Sequence, residues 1–224
     1  MNATGLDAEG HYTSANDIAV MSRELIKHDM IYKYTTIWID YLRDGKFMLA
    51  NTNRLVRFYE GATGLKTGST SIAKYCLSAT AKRNDMELIA VILAADTSDK
   101  RFNDARSLLD FGFANFGIWT DEENLPQDQI AVLKGKLPGV MIKPETGFHM
   151  IVKKGDEKLI EKEVVLPENI NAPVEKGQLI GHINYTLNGQ EIGKVEIKAV
   201  QNVERTNYFF SFGRLLSDFF MMNR

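Results

Sequence analysis

The sequence holds a single cysteine, Cys76, so it can form neither an internal disulfide nor a cysteine-rich zinc site. Cys76 sits in the alternating stretch Lys74-Tyr75-Cys76-Leu77, where a buried and inert thiol is expected rather than a nucleophile. Long apolar runs are missing as well: nothing approaches the roughly 18 consecutive apolar residues of a membrane-spanning helix. Neither sign of charge dominates, since 27 Lys and Arg against 29 Asp and Glu leave a formal net charge of -2. That balance gives no support to a nucleic-acid partner. The first residues, Met1-Asn2-Ala3-Thr4-Gly5-Leu6-Asp7, lack the basic and apolar regions of a signal peptide and read as the middle of a domain. No internal repeat and no low-complexity tract occurs, and nothing calls for a metal or an organic cofactor.

What is present is the composition of a soluble globular protein, 44% hydrophobic and 25% charged over 224 residues, enough for one large domain or two modest ones. One stretch stands apart, Gly61-Ala62-Thr63-Gly64-Leu65-Lys66-Thr67-Gly68-Ser69-Thr70-Ser71, in which glycines alternate with small hydroxyl residues around one cation. It has little apolar surface to bury, so it makes poor core and a good edge strand beside a cleft. Gly68 lets another backbone approach, Thr67 offers a hydroxyl and Lys66 a fixed positive charge. The combination suits an extended peptide ending in a carboxylate. A solvated edge strand with no such role is the alternative for these three common residues taken alone.

Residues 1–13 read as a loop, and Thr13 or Ser14 caps a helix carrying Ile18, Met21, Leu25 and Ile26 at helical spacing, with Asp17 in its first turn. Tyr34 to Ile39 suggests extended chain, or short helix over Tyr32 to Tyr41, and Asp44-Gly45 and Asn51-Thr52-Asn53 carry turn chemistry. After the glycine-rich strand, Lys74 to Ala81 and Met86 to Ala94 form an antiparallel hairpin around Arg83-Asn84-Asp85. The second strand is apolar enough to be central. A helix follows from about Lys100 to Phe116, with Phe102, Ala105, Leu108, Leu109, Phe111 and Phe113 on its apolar side.

The pattern changes near Asp121. Short strands at Gln129–Val132, Val140–Ile142, His149–Val152, Val164–Leu166, Ile180–Tyr185 and Gly193–Ala199 alternate with turns, and Asn188-Gly189 marks a hairpin. These describe a small all-β domain, expected to be a sandwich. The segment Asn207 to Arg224 crowds aromatic, Leu and Met side chains against a narrow polar side of Arg214, Ser217, Asp218 and Asn223. It fits an amphipathic helix lying in a membrane surface, or one docked on protein.

Taken together, the chain resembles the serine D-alanyl-D-alanine carboxypeptidases, the low-molecular-mass penicillin-binding proteins. The resemblance rests on Asn2-Ala3-Thr4-Gly5-Leu6-Asp7, His11-Tyr12-Thr13-Ser14-Ala15 before a helix, Asn51-Thr52-Asn53, and Gly64-Leu65-Lys66-Thr67-Gly68 with its following hairpin. The small β domain and the terminal helix complete it. It implies an α+β fold: the C-terminal part of a penicillin-binding-protein/β-lactamase-like transpeptidase domain, antiparallel sheet with helices, over 1–118. An all-β sandwich domain over 119–206 and an amphipathic helix over 207–224 follow.

The family uses Ser-x-x-Lys, Ser-x-Asn and Lys-Thr-Gly motifs. Its serine attacks the carbonyl between two terminal D-alanines of a peptidoglycan stem peptide, releases D-alanine and is deacylated by water; β-lactams acylate the same serine. In that scheme Lys66 sets the electrostatics around nucleophile and substrate, while Thr67 and Gly68 line the substrate edge. The backbone N–H of Ser69 matches one oxyanion-hole donor, and Arg101 sits where the family places an arginine near the terminal carboxylate. Arg101 read without the family is a surface charge at a helix start.

Two stretches imitate the other motifs. Ser71-Ile72-Ala73-Lys74 has the Ser-x-x-Lys pattern but follows Lys-Thr-Gly into a strand, whereas the catalytic version needs a helix start. Ser14-Ala15-Asn16 has the Ser-x-Asn pattern, with Ser14 expected as a helix cap. The chain is therefore expected to be the C-terminal part of a carboxypeptidase, inactive alone, from an enzyme at the extracytoplasmic face of the bacterial cytoplasmic membrane. The partners implied are the stem peptide, β-lactams, and the membrane surface through 207–224. A non-catalytic cell-wall or membrane-associated scaffolding module is the competing reading. A β-lactamase-like hydrolase is a third, disfavoured by the all-β appendage and terminal helix.

Overall fold

The computed structural model describes residues 2, 4–121, 129–208 and 212. The chain divides into two compact units, residues 1–118 and 119–224. The segment read from sequence as a terminal helix, 207–224, lies outside the described residues apart from positions 207, 208 and 212.

In the first unit, helix α1 (Ala15–Leu25) starts at a capping box: Ser14 Oγ accepts from the Asp17 N–H at 3.1 Å, and the Asp17 carboxylate accepts from the Ser14 N–H at 3.0 Å. Both bonds satisfy donors that a helix start leaves unpaired, which is why Ser14 serves as a cap and not as the serine of a Ser-x-Asn motif. The buried position of α1 is Ser22, whereas Met21 and Leu25, expected on the apolar side, are exposed. A single helical turn α2 (Tyr32–Thr35) follows, so the aromatic stretch is helical to Thr35 and extended only from Ile39.

Strands β1 (Ile39–Leu42) and β2 (Phe47–Ala50) then form a hairpin. The turn chemistry at Asp44-Gly45 marked its position, and Arg43, Asp44 and Gly45 all adopt positive φ. A short helix, α3 (Leu55–Phe58), leads into the central sheet.

That sheet has three antiparallel strands in the order β3 (Ala62–Thr70), β4 (Lys74–Arg83) and β5 (Met86–Ala95). The glycine-rich stretch is an edge strand, as its composition implied. β4, not β5, is central, so the reading of the apolar second hairpin strand as the middle of a sheet is corrected: among the described residues β5 pairs with β4 alone. Its apolar character reflects burial on its faces, since both α1 and α4 (Ser98–Asn115) pack against it. The β4–β5 turn places Asn84 and Asp85 at φ 47° and 63°, matching the right-handed twist of the strands it joins.

Leu77, Ala79 and Ala81 of β4 face Phe102, Ala105 and Leu109 of α4, while Ser78 turns the other way and bonds Ser22 of α1 at 2.7 Å between hydroxyls. Leu108 and Phe111 were expected in the same core but are 51% and 62% exposed. The helix buries only the stripe that Phe102, Ala105 and Leu109 define, and these two lie off it.

Among the described residues the second unit is mostly strand, with one short 3-10 turn at Asp156–Leu159. β7 (Gln129–Leu133), β8 (Gly139–Pro144), β10 (Ile160–Val165), β11 (Asn169–Asn171), β12 (Leu179–Leu187) and β13 (Gln190–Ala199) make one sheet in the order β10-β12-β13-β8-β7-β11. β6 (Phe116–Asp121) and β9 (Phe148–Lys153) form a two-stranded ribbon. Period-two alternation sends Ile130 and Val132, Val140 and Ile142, Ile183 and Tyr185, and Val195, Ile197 and Ala199 into one core. The Tyr185 and Phe148 rings stack at 4.1 Å, with Trp119 edge-on to both.

Gly193 is required there, because a Cβ would come within 2.2 Å of the Phe148 ring. Tyr185 donates to Asp121 at 2.6 Å, and Lys162 pairs with the same carboxylate at 2.7 Å. The one buried carboxylate of this core is thereby both hydrogen-bonded and neutralised.

Candidate functional site

The site is built on the open edge of β3. Lys66 is exposed and its ammonium donates to the Thr67 carbonyl. Thr67 is 9% exposed, and its Oγ1 lies 2.6 Å from Oγ1 of Thr52. Gly68 is exposed, and no heavy atom beyond its neighbours lies within 4 Å of where a Cβ would stand. Nothing inside the described residues therefore demands glycine at this position. Ser69 is exposed and faces Tyr75 across the ladder.

Arg101 is not the surface charge that one reading made it: it is 6% exposed. Its Nη1 donates to the carbonyls of Gly68 and Cys76, at 3.2 and 3.1 Å, two residues that face one another across β3 and β4. Nη2 donates to Ser98 Oγ at 3.3 Å, and its Cζ stands 4.6 Å from the Phe102 ring centroid. Nε is buried with no acceptor among the described residues. Burial, and then the neighbouring Arg54, pull its pKa below the usual guanidinium range. The helix start thus places a cation directly behind the Lys-Thr-Gly edge. Cys76, expected to be buried, is only half-buried, because it lies at the open end of β4, where the ladder to β5 is interrupted.

Sequence reasoning missed what holds this edge in place. Asn51-Thr52-Asn53, given turn chemistry and a place in the resemblance but no structural role, is a bracket. Asn53 is 1% exposed, donates from Nδ2 to the Gly64 carbonyl at 3.0 Å and accepts from the Leu55 N–H at 3.2 Å. Asn51 donates to the Ile37 carbonyl at 2.9 Å and accepts from the Asn53 N–H at the same distance. Three side chains able to bond backbone, between a hairpin and a helix, are the signal that could have revealed it.

The N-terminal loop also reaches the strand. Asn2 Oδ1 accepts from Thr4 Oγ1 and the Gly5 N–H, at 2.8 and 2.9 Å, and Asp7 accepts from Thr70 Oγ1 at 2.7 Å. By contrast, Ser71 sits in the β3–β4 turn, and the Lys74 ammonium lies 2.7 Å from Asp96. Among the described residues no three His, Cys, Asp or Glu side chains cluster as metal ligands do, and no helix is long and apolar enough to cross a membrane.

The order and spacing of these elements agree with known proteins. The D-alanyl-D-alanine carboxypeptidase family model matches residues 1–97, and that of the penicillin-binding protein 5 C-terminal domain matches residues 121–205. The D-alanyl-D-alanine carboxypeptidase DacF of Bacillus subtilis is 36% identical over 222 residues, covering 97% of this chain and 57% of the relative.

Over nearly its whole length the chain is similar to D-alanyl-D-alanine carboxypeptidases.

DacC of Escherichia coli is 33% identical, covering 97% of this chain and 54% of its own length. Penicillin binding protein 5 from Haemophilus influenzae superposes with a TM-score of 0.69 at 29% identity, covering 90% of this chain and 59% of that one. The chain thus spans little more than half the length of the relatives it matches. This likeness supports the α+β assignment, with an antiparallel sheet and helices in one unit and an all-β fold in the other.

Proposed function

We propose that residues 1–118 form part of the catalytic domain of a serine D-alanyl-D-alanine carboxypeptidase and supply the substrate-binding wall of its site. The observation that carries this reading is the edge of β3 away from β4, unpaired among the described residues, which runs through Lys66, Thr67 and Gly68 and is backed by the Arg101 guanidinium. A peptide laid along that edge as an added strand puts its terminal carboxylate within the positive field of Lys66 and Arg101, with Thr67 as hydroxyl donor. Arg101 acts mainly from behind the strand, since Nη1 and Nη2 already serve the Gly68 and Cys76 carbonyls and Ser98. The Ser69 N–H is one donor for the oxyanion that forms as a serine attacks the D-Ala-D-Ala carbonyl. D-Alanine leaves, and water cleaves the acyl-serine.

The attacking serine is not one of this chain's candidates: Ser14 caps a helix, and Ser71 lies in a turn whose nearby Lys74 is paired with Asp96. Residues 119–206 form the all-β domain, and residues 207–224 hold the protein at the membrane surface. The setting is the extracytoplasmic cell wall, where the peptidoglycan stem peptide is substrate and β-lactams compete for the same edge. A non-catalytic cell-wall module is favoured by one observation, the second unit's own core cluster among the described residues.

A fluorescent penicillin separates attack from binding. The 224-residue chain is expected to stay unlabelled after denaturing electrophoresis. A covalent label would overturn the assignment, and a label lost on Ser71→Ala would make Ser71 the nucleophile.

A further inference from the structure

A pocket of about 380 Å³ lies between α3 and the first turns of α4, lined by Arg54, Phe58, Asp99, Phe102, Asn103 and Arg106. Its volume falls in the range of small-molecule sites, roughly 300 to 1,000 Å³. Its charges do not cancel. Arg54 reaches Asp99 at 2.5 Å, but with the two side chains 47% and 77% exposed the pair is weak and exchangeable in water. Arg106 has no carboxylate within ion-pairing distance among the described residues, and its Nε is buried without an acceptor. The acid one turn further along α4, Asp110, already accepts from the Tyr59 hydroxyl at 2.7 Å.

Two guanidinium groups against one carboxylate leave the pocket with a positive lining. Aromatic surface lies beside it. Phe58 is 61% exposed, whereas Phe102 is 4% exposed and its ring already carries Arg54 at 4.8 Å and Arg101 at 4.6 Å.

We propose that this pocket binds a small organic acid, its carboxylate drawn to the Arg54 and Arg106 guanidinium groups that line it and its flat apolar part resting on the exposed Phe58 ring. Carboxylate recognition of this kind is what arginine geometry favours. Arg54 exchanges part of its contact with Asp99 for the incoming anion, and Asn103 adds a neutral polar group at the rim. The site requires neither Lys66-Thr67-Gly68 nor a nucleophile, so it goes beyond the carboxypeptidase reading and stands or falls separately from it.

The test is an NMR titration of the whole 224-residue chain with benzoate, with benzamide as its uncharged counterpart, following the Arg106 Nε–H, the Asn103 side-chain amide and the backbone amides of Lys66 to Ser69. Saturable benzoate shifts at Arg106 and Asn103, without matching shifts at Lys66 to Ser69 and without response to benzamide, are expected. Arg106→Gln should weaken benzoate at least tenfold at an unchanged melting temperature. Phe58→Ala, an exposed position whose change leaves the core intact, should weaken benzoate and leave formate unaffected. No saturable shift at Arg106, an equal response to benzamide, or full affinity in Arg106→Gln or Phe58→Ala would overturn the proposal.

Discussion

Thr52 Oγ1 lies 2.6 Å from Thr67 Oγ1, so the hydroxyl at the centre of the Lys-Thr-Gly edge is paired before any ligand arrives. Only one of the two protons can occupy that bond. When Thr52 donates it, Thr67 keeps its own proton for a carboxylate, and the two bonds polarise one another. Thr52→Val should therefore weaken binding of diacetyl-Lys-D-Ala-D-Ala about fivefold, from a hydrogen bond worth about 1 kcal/mol, and Thr52→Ser should restore it. Isothermal titration of both variants checks this; equal affinities for valine and serine would remove Thr52 from the site.

Arg101 ties the Gly68 and Cys76 carbonyls to α4 from a nearly water-free position. Arg101→Met leaves both carbonyls without that donor and should destabilise the first unit by about 3 kcal/mol. Arg101→Lys should recover only part of it, because an ammonium cannot fork between the carbonyls and Ser98. Urea unfolding followed at Trp38, in the first unit, reads the difference. An unchanged midpoint in the methionine variant would contradict the bracing role.

Burial, and then a hydrogen bond to Asp110, push the Tyr59 phenol up from 10.0 to about 12. Burial, with hydrogen bonds to Glu87 and Asp121, also raises Tyr32 and Tyr185. The folded chain therefore holds these protons more tightly than the unfolded one. The Tyr59 contribution to stability is complete below pH 10 and is lost as the pH rises through about 12, while Tyr32 and Tyr185 lose theirs at still higher pH. Melting temperatures between pH 8 and 12 should fall on the alkaline side, and Tyr59→Phe should flatten that fall. A profile unaffected by Tyr59→Phe would argue against the linkage.

Apolar side chains crowd the surface of the first unit: Met48, Phe58 and Phe111 are 60%, 61% and 62% exposed, and Leu108 is 51% exposed. Exposed apolar side chains in this number favour association. Residues 1–116 alone should bind a hydrophobic dye and aggregate on warming. A cooperative, high-temperature and reversible melt would show that the exposed faces need no cover.

Local chemistry carried much of the fold into view. The Ser14 cap with Asp17, the primed turns at Asn84-Asp85 and Asn188-Gly189, and the alternation of β13 are each decided by residues close in sequence. The failures are tertiary. β5 is as apolar as a central strand because helices cover its faces, and periodicity alone does not separate that from pairing on both edges. Leu108 and Phe111 have the same apolar character as Leu109, and only the direction of packing divides them. Lys66, Thr67, Gly68 and Arg101 were named as candidates from motif and resemblance, and Arg101 bonds the Gly68 carbonyl from behind the strand that carries the other three. Thr52 and Asn53 were hidden because their partners, Thr67 and the Gly64 carbonyl, are met only once β3 has formed.

The central claim is that the β3 edge receives a peptide ending in D-alanine without attacking it. NMR titration of the 224-residue chain with diacetyl-Lys-D-Ala-D-Ala and its L-Ala-L-Ala counterpart measures this directly. Saturable shifts at Thr67, Gly68 and Ser69 with the D,D peptide, weaker with the L,L peptide, and no release of free D-alanine are predicted. No shifts at these residues, or release of D-alanine by the chain alone, would contradict it.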